Sequence, residues 1–148
     1  PMRDELYAAG RGRGATLNGD PLRVSTTADL IGSLVVTGFS YDLERRKQQA
    51  AVWRRFLLQV QAIRQTGSAA LNLCYVAAGR LDGYWERGIA PWDVSAGALV
   101  LREAGGSISD FAGGPFSSDD RVVLASNGYL HQAMLAILGE GDSEFGPV

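Results

Sequence analysis

The sequence predicts an α/β domain in which helices cover a mixed or largely parallel sheet. Short apolar runs of strand length alternate with patterns of helical length over most of the chain, an order typical of layered α/β folds. The clearest run, Ser-Leu-Val-Val-Thr at 33–37, has the continuous apolar character of a strand buried on both faces. With 148 residues, 46% of them hydrophobic, the chain has enough apolar area for one core.

The N-terminal segment departs from this alternation and predicts a small antiparallel unit. Residues 6–9, 15–17 and 22–24 are short strand-like runs, and Asn18-Gly19 is a strong hairpin signal. The Gly-x-Gly-x-Gly run at 10–14 formally matches a dinucleotide-binding fingerprint. Because a hairpin rather than a helix follows it, turn glycines are the preferred interpretation.

Two helices of different character are predicted next. Residues 42–64 contain no Gly or Pro, and apolar side chains recur there at three- and four-residue steps. This pattern predicts one amphipathic helix with Asp42 as its N-cap. Residues 68–78 are small and apolar on most sides, which predicts a buried helix that ends at Gly79 and holds Cys74 in the core.

The second half of the chain continues the alternation. Its predicted elements are a strand at 82–86, an apolar helix at 94–104, strands at 107–111 and 122–125, and a helix at 127–138. Asn127 is the expected cap of the last helix, in which His131 is assigned a structural or surface role.

Composition excludes several classes of function. There are 16 acidic and 14 basic residues, a net charge of -2, so neither nucleic acid nor a membrane surface is an expected partner. One cysteine and one histidine cannot form an internal disulfide or a histidine-based metal site. The sequence has no apolar run of membrane-spanning length and no secretory signal pattern, so we expect a cytoplasmic protein.

Two carboxylates form the first candidate site. Glu86 ends a predicted strand, and Asp93 begins a predicted helix seven positions later, across a Gly/Pro loop. Such a loop belongs at the carboxyl edge of a sheet, where open α/β folds place ligands. Carboxylate oxygens suit Mg²⁺, although two cannot complete an octahedral shell. A helix N-cap explains Asp93 equally well.

A second candidate lies at the start of the buried helix. The segment Gly67-Ser68-Ala69 would present backbone N–H groups and small side chains to a polar ligand. A simple helix cap with tight helix packing accounts for the same residues.

These segments together resemble the inositol monophosphatase family of Mg²⁺-dependent, lithium-sensitive phosphatases. The likeness rests on Gly-Ser-Ala-Ala-Leu at 67–71, Asp-Gly-Tyr-Trp-Glu at 82–86, and Pro-Trp-Asp-Val-Ser-Ala-Gly at 91–97, which matches the family's W-D-x-[AS]-A-G signature. It extends over residues 5–138. The implied fold is the C-terminal layered part of an αβαβα phosphatase sandwich at 29–138. A leftover antiparallel hairpin of the N-terminal sheet at 1–28 and a flexible tail at 139–148 complete the chain.

The resemblance also implies roles for particular residues. Asp93 would be a catalytic residue and Mg²⁺ ligand, whereas the implied substrate-binding residues are Glu86, Gly67, Ser68, Ala69 and Ser40. The implied substrate is a small phosphorylated polyol, hydrolysed by metal-activated water in a homodimeric enzyme. The family's other signature, D-P-[ILV]-D-G-T, does not occur in these 148 residues, so we expect this polypeptide alone to be inactive.

Two alternatives stay open. The same family includes enzymes for histidinol phosphate, fructose 1,6-bisphosphate and 3′-phosphoadenosine phosphate, although Glu86 favours a polyol. A non-catalytic oligomerisation or regulatory module is the alternative from another class.

Overall fold

The computed structural model describes residues 3–140, which form two sheets and four α-helices. The smaller sheet is antiparallel and has three strands, β1 (Tyr7–Ala9), β2 (Ala15–Leu17) and β3 (Asp20–Pro21). The predicted N-terminal hairpin is therefore confirmed. Its third strand is two residues long and precedes the predicted run at 22–24. Asn18, in the left-handed conformation with φ of 53°, and Gly19 turn the chain between β2 and β3.

The larger sheet has five strands and is mixed, as predicted. Its strands are β4 (Leu34–Thr37), β5 (Ala62–Arg64), β6 (Gly83–Arg87), β7 (Ser107–Ser109) and β8 (Val122–Ser126). Their spatial order is β5-β4-β6-β8-β7. The first three strands are parallel, and β8 runs antiparallel to both β6 and β7. The carboxyl ends of β5, β4 and β6 consequently meet at one edge.

Helices cover both faces of this sheet. They are α1 (Leu43–Leu57), α2 (Ala69–Ala77), α3 (Pro91–Glu103) and α4 (His131–Gly139). Alternating strand residues separate two apolar clusters: Val36 and Tyr84 pack with α2 and α3, whereas Val35 and Trp85 pack with α1 and α4. Ala15 of the small sheet joins the α2 and α3 cluster, so the described chain has four layers. None of the helices in this part of the chain is long and apolar enough to cross a membrane.

The small sheet is attached to α2 and α3 through polar contacts. The Glu103 carboxylate, at the end of α3, accepts hydrogen bonds from the backbone N–H groups of Gly12 at 2.8 Å and Gly14 at 2.9 Å. Arg80, just after α2, pairs with Glu5 at 2.8 Å. The glycine run at 10–14 is therefore the turn between β1 and β2, and its N–H groups bind the carboxylate of Glu103.

The predicted helix over 42–64 is wrong in its last part. Asp42 caps α1 as expected, accepting a hydrogen bond from the Arg45 N–H at 2.9 Å, but the helix ends at Leu57. Ile63 lies in β5, paired with Val35 of β4. A strand brings Ile63 to the core as well as a helix would, and pairing of β5 with β4 satisfies its backbone N–H and C=O groups.

Two helix starts also differ from prediction. The helix predicted from 94 begins at Pro91, because proline suits the first turn, where its missing N–H has no partner to lose. Asp93 is consequently the third residue of the helix rather than its N-cap. The last helix begins at His131 instead of 127, although the Asn127 side chain still accepts a hydrogen bond from the Leu130 N–H at 3.2 Å.

Candidate functional site

A cleft of about 460 Å³ opens at the carboxyl edge of the parallel strands. Loops that follow β4, β5 and β6 and the first turns of α1, α2 and α3 surround it. All six residues that the sequence singled out line this one cleft: Ser40, Gly67, Ser68, Ala69, Glu86 and Asp93. The structure thus brings together side chains from four separate segments of the chain.

Glu86 is the more buried of the two acids that line the cleft. The hydroxyl of Tyr84, two residues earlier on the same face of β6, donates a 2.6 Å hydrogen bond to its Oε2 atom. Gly38, after β4, leaves the space that the carboxylate occupies, since a Cβ atom at that position would overlap it. Burial and the nearby charge of Asp93 raise the pKa of Glu86, and the Tyr84 hydrogen bond opposes them.

The Ser40 loop is fixed by side chains of α1. The carboxamide of Gln49 accepts a hydrogen bond from the Ser40 N–H at 2.7 Å, and Arg46 Nε donates to the Ser40 carbonyl at 2.9 Å. Ser40 Oγ accepts the N–H of Asp42 at 3.1 Å. Because this bond uses an oxygen lone pair, the Ser40 O–H is left to donate to a ligand oxygen.

The segment Gly67-Ser68-Ala69 is both a helix cap and a wall of the cleft. Gly67 has a φ of +86°, which non-glycine residues rarely adopt, and Ser68 is the N-cap of α2. Ser68 Oγ accepts a long hydrogen bond from the Leu71 N–H, at 3.4 Å. The predicted helix cap is therefore present, and the same segment lines the cleft.

Asp93 stands in the first turn of α3 with an exposed carboxylate. Its Oδ2 atom accepts a weak hydrogen bond from the Ala90 N–H at 3.4 Å. An acid in the first helical turn is favoured by the helix dipole, and an exposed carboxylate remains accessible to a cation. Asp93 and Glu86 are the acids that line the cleft within the described chain.

These two acids do not fit a complete Mg²⁺ shell. Within residues 3–140, no group of three or more His, Cys, Asp or Glu residues is arranged to hold a metal ion. Mg²⁺ requires near-octahedral oxygen ligation, so a tightly bound ion would need further protein ligands, waters or phosphate oxygens.

Other residues that line the cleft were not predicted as site residues, and the polar ones among them include Arg45, Gln48, Gln49 and Asn72. Tyr84, which supports the cleft from the core, was missed as well. The i, i+2 spacing of Tyr84 and Glu86 on a strand could have revealed their contact. The glutamine and arginine of α1 gave no signal, because on a surface helix they are typical solvent-exposed residues.

The fold and the cleft define a class of protein: a layered α/β domain with a cleft that carries two acids at the carboxyl edge of its parallel strands. The sequence profile described as the Inositol monophosphatase family matches residues 1–142. The chain belongs to this family, which confirms the resemblance and the fold class that it implied.

The chain is similar to proteins with two different names, inositol monophosphatase and Nus factor SuhB. An inositol-1-monophosphatase from Synechocystis is 47% identical over 135 residues, covering 90% of this chain and 47% of the relative. The Nus factor SuhB from Escherichia coli K12 is 47% identical over 140 residues, covering 92% of this chain and 51% of the relative. The solved inositol monophosphatase from Anabaena superimposes with a TM-score of 0.90 at 44% identity, over 95% of this chain and 56% of that protein. The chain therefore spans about half the length of these relatives.

Proposed function

We propose that this chain provides the polyol-binding side of an active site that hydrolyses inositol 1-phosphate, a phosphoric monoester. The observation that carries the proposal is the convergence of Ser40, Glu86, Asp93 and the start of α2 on one cleft. The family membership supports the reaction class, and the name of the Synechocystis relative supports the substrate.

Each side chain has a task in this proposal. The free oxygen of Glu86 accepts a hydrogen bond from a ring hydroxyl, and the Ser40 hydroxyl donates to another substrate oxygen. Gly67, Ser68 and Ala69 leave room for the ring to approach the first turn of α2. Fixing the ring in this way orients the phosphate ester for attack by water.

Asp93 is the ligand that this chain would contribute to Mg²⁺, a metal whose chemistry in such sites is charge neutralisation and activation of water. The remaining ligands would come from outside the described residues, because the cleft lacks a third acid within residues 3–140. We also propose that the active protein is a cytoplasmic homodimer, which sedimentation and cell fractionation would test.

The test uses the protein encoded by the full open reading frame that contains these residues. We expect Mg²⁺-dependent release of phosphate from inositol 1-phosphate, with higher kcat/KM than for histidinol phosphate, fructose 1,6-bisphosphate or 3′-phosphoadenosine phosphate. Asp93→Asn should lower kcat/KM by about 100-fold or more, since it removes a charged ligand. Asp119→Asn, which changes an exposed acid outside the cleft, is the matched control. Equal rates for Asp93→Asn and wild type would contradict the assignment.

A regulatory role is the second candidate. It is favoured by one observation, that the chain is as similar to the Nus factor SuhB as to the inositol-1-monophosphatase. The two roles are separated by expressing Asp93→Asn in a strain that lacks the gene. If this variant restores the growth of the deletion strain to that given by the wild-type gene, a regulatory role is favoured. If a folded variant fails to restore it, the enzyme is favoured.

A further inference from the structure

A hydrogen bond joins Glu86, which lines the cleft, to Tyr84, which lies in the core. Tyr84 is fully buried, with 0% of its surface exposed, and packs in the cluster formed by α2 and α3. Glu86 is only partly buried and faces the cleft. Close packing holds the tyrosine ring in place, so its hydroxyl can hold the partly exposed carboxylate of Glu86 in one position.

The direction of this hydrogen bond is also determined. Tyr84 donates to Glu86 Oε2 at 2.6 Å, which leaves Oε1 without a hydrogen-bond partner among the described residues. Burial and the nearby Glu86 charge raise the pKa of the Tyr84 hydroxyl well above its ordinary value. The Tyr84 hydroxyl therefore stays protonated near neutral pH and donates to the carboxylate.

Asn72 supports the tyrosine from behind. This side chain is 1% exposed, and its carbonyl oxygen accepts a hydrogen bond from Thr66 Oγ1. Asn72 acts to lower the pKa of Tyr84, against the larger effect of burial. Because a carboxylate oxygen accepts, the Tyr84 proton is directed to Glu86.

We propose that Tyr84 is a positioning residue that sets the specificity of the cleft by holding Glu86 as an acceptor for a substrate hydroxyl. The inference rests on the proposed function and deepens it, because it commits the cleft to polyol phosphates. Tyr84 occupies one carboxylate oxygen, and the carboxylate packs against the Gly38 position, where an added Cβ would lie 2.2 Å from Oε1. The remaining oxygen meets the substrate in a fixed orientation, without a loss of side-chain entropy on binding.

The experiment compares two substrates of the protein from the full reading frame. Inositol 1-phosphate offers ring hydroxyls to Glu86, and 4-nitrophenyl phosphate offers none. For Tyr84→Phe we expect the ratio of their kcat/KM values to fall about tenfold, the effect of losing a hydrogen bond to a charged group. The fall should appear mainly as a higher KM for inositol 1-phosphate. Tyr75→Phe, on α2 and outside the cleft lining, should keep the wild-type ratio.

A double-mutant cycle separates positioning from general damage. If Tyr84 acts through Glu86, Tyr84→Phe has no further effect on the ratio in a Glu86→Ala background. An equal fall in both backgrounds, or a wild-type ratio in Tyr84→Phe, would overturn the inference.

A crystal structure of Tyr84→Phe decides the positioning claim without any assay. A displaced or disordered Glu86 carboxylate supports the claim, and an unchanged carboxylate refutes it. Wild-type protein that does not hydrolyse inositol 1-phosphate would instead overturn the proposed function, and the crystal structure would still decide whether Tyr84 orders Glu86.

Discussion

Gly38 is the residue whose missing side chain makes room for the Glu86 carboxylate. In Gly38→Ala the added methyl group would overlap this carboxylate, which must then leave its place beside Tyr84. We expect the KM for inositol 1-phosphate to rise about tenfold, equivalent to about 1.4 kcal/mol of lost binding. Steady-state kinetics on the full-length protein would show it. Gly32→Ala is the control, because open space surrounds that position.

His131 is neutral in the folded chain and should make stability depend on pH. Its Nε2–H donates to Ser109 Oγ at 2.9 Å, because that hydroxyl donates to the Asp110 carbonyl, and its Nδ1 meets Ser126 Oγ at 3.0 Å. Burial lowers its pKa below the ordinary value of 6.5. Between its lowered folded-state pKa and pH 6.5, the unfolded state therefore binds a proton that the folded state does not.

Acidification should consequently destabilise the wild type. We expect the free energy of unfolding to fall, by at most about 1.4 kcal/mol per pH unit, between pH 6.5 and the lowered folded-state pKa. His131→Gln should lack this component, although its stability is lower at pH 7.5. Urea unfolding of both chains at several pH values measures the difference, and parallel pH curves would refute the assignment.

At the scale of elements, the packing of α2 on α3 places the two helix starts beside each other. Gly97, the last residue of the W-D-x-[AS]-A-G signature, faces Leu73 so closely that a new Cβ atom would lie 2.7 Å from the leucine Cβ. We expect Gly97→Ala to lower the free energy of unfolding by about 1–3 kcal/mol, the usual cost of overpacking. Chemical denaturation would measure it. Gly139→Ala, in a helix position with no atom near the added methyl, should cost nothing.

The helices could be predicted from the sequence, but strand β5 and the start of α3 could not. Periodicity located the four α-helices of the described residues, because an amphipathic or buried stripe is a local pattern. It could not distinguish a helix from a strand at 62–64, since Val60 and Ile63 reach the core in either conformation and the pairing of β5 with β4 is a tertiary contact. Asp93 illustrates the same limit. It would be the N-cap of a helix that began at residue 94, but the helix begins three residues earlier, at Pro91, so Asp93 lies inside its first turn.

Several residues that line the cleft could be predicted from the sequence, but the hydrogen bonds that hold them in place could not. The family resemblance indicated Glu86 through a motif and Ser40 through its place in the loop after a strand, whereas nothing in the sequence indicated that Gln49 would hold the Ser40 loop at 2.7 Å. Such contacts join α1 to a loop after β4 and depend on how helices are placed on the sheet. They are therefore a property of the assembled layers rather than of a local segment.

At the scale of the whole molecule, the layers assemble a cleft that, within residues 3–140, is lined by two acids. One or two carboxylates bind Mg²⁺ weakly, because the ion retains its water shell unless several hard ligands replace it. We therefore expect the purified 148-residue polypeptide to bind inositol 1-phosphate weakly and to release no phosphate above background, whatever the Mg²⁺ concentration. The product of the full reading frame, assayed beside it, should turn over the substrate. Asp93→Asn in the 148-residue chain, purified in the same way, controls for contaminating host phosphatase. Turnover that exceeds this control would show that these residues hold sufficient metal by themselves and would contradict the division of the site proposed here.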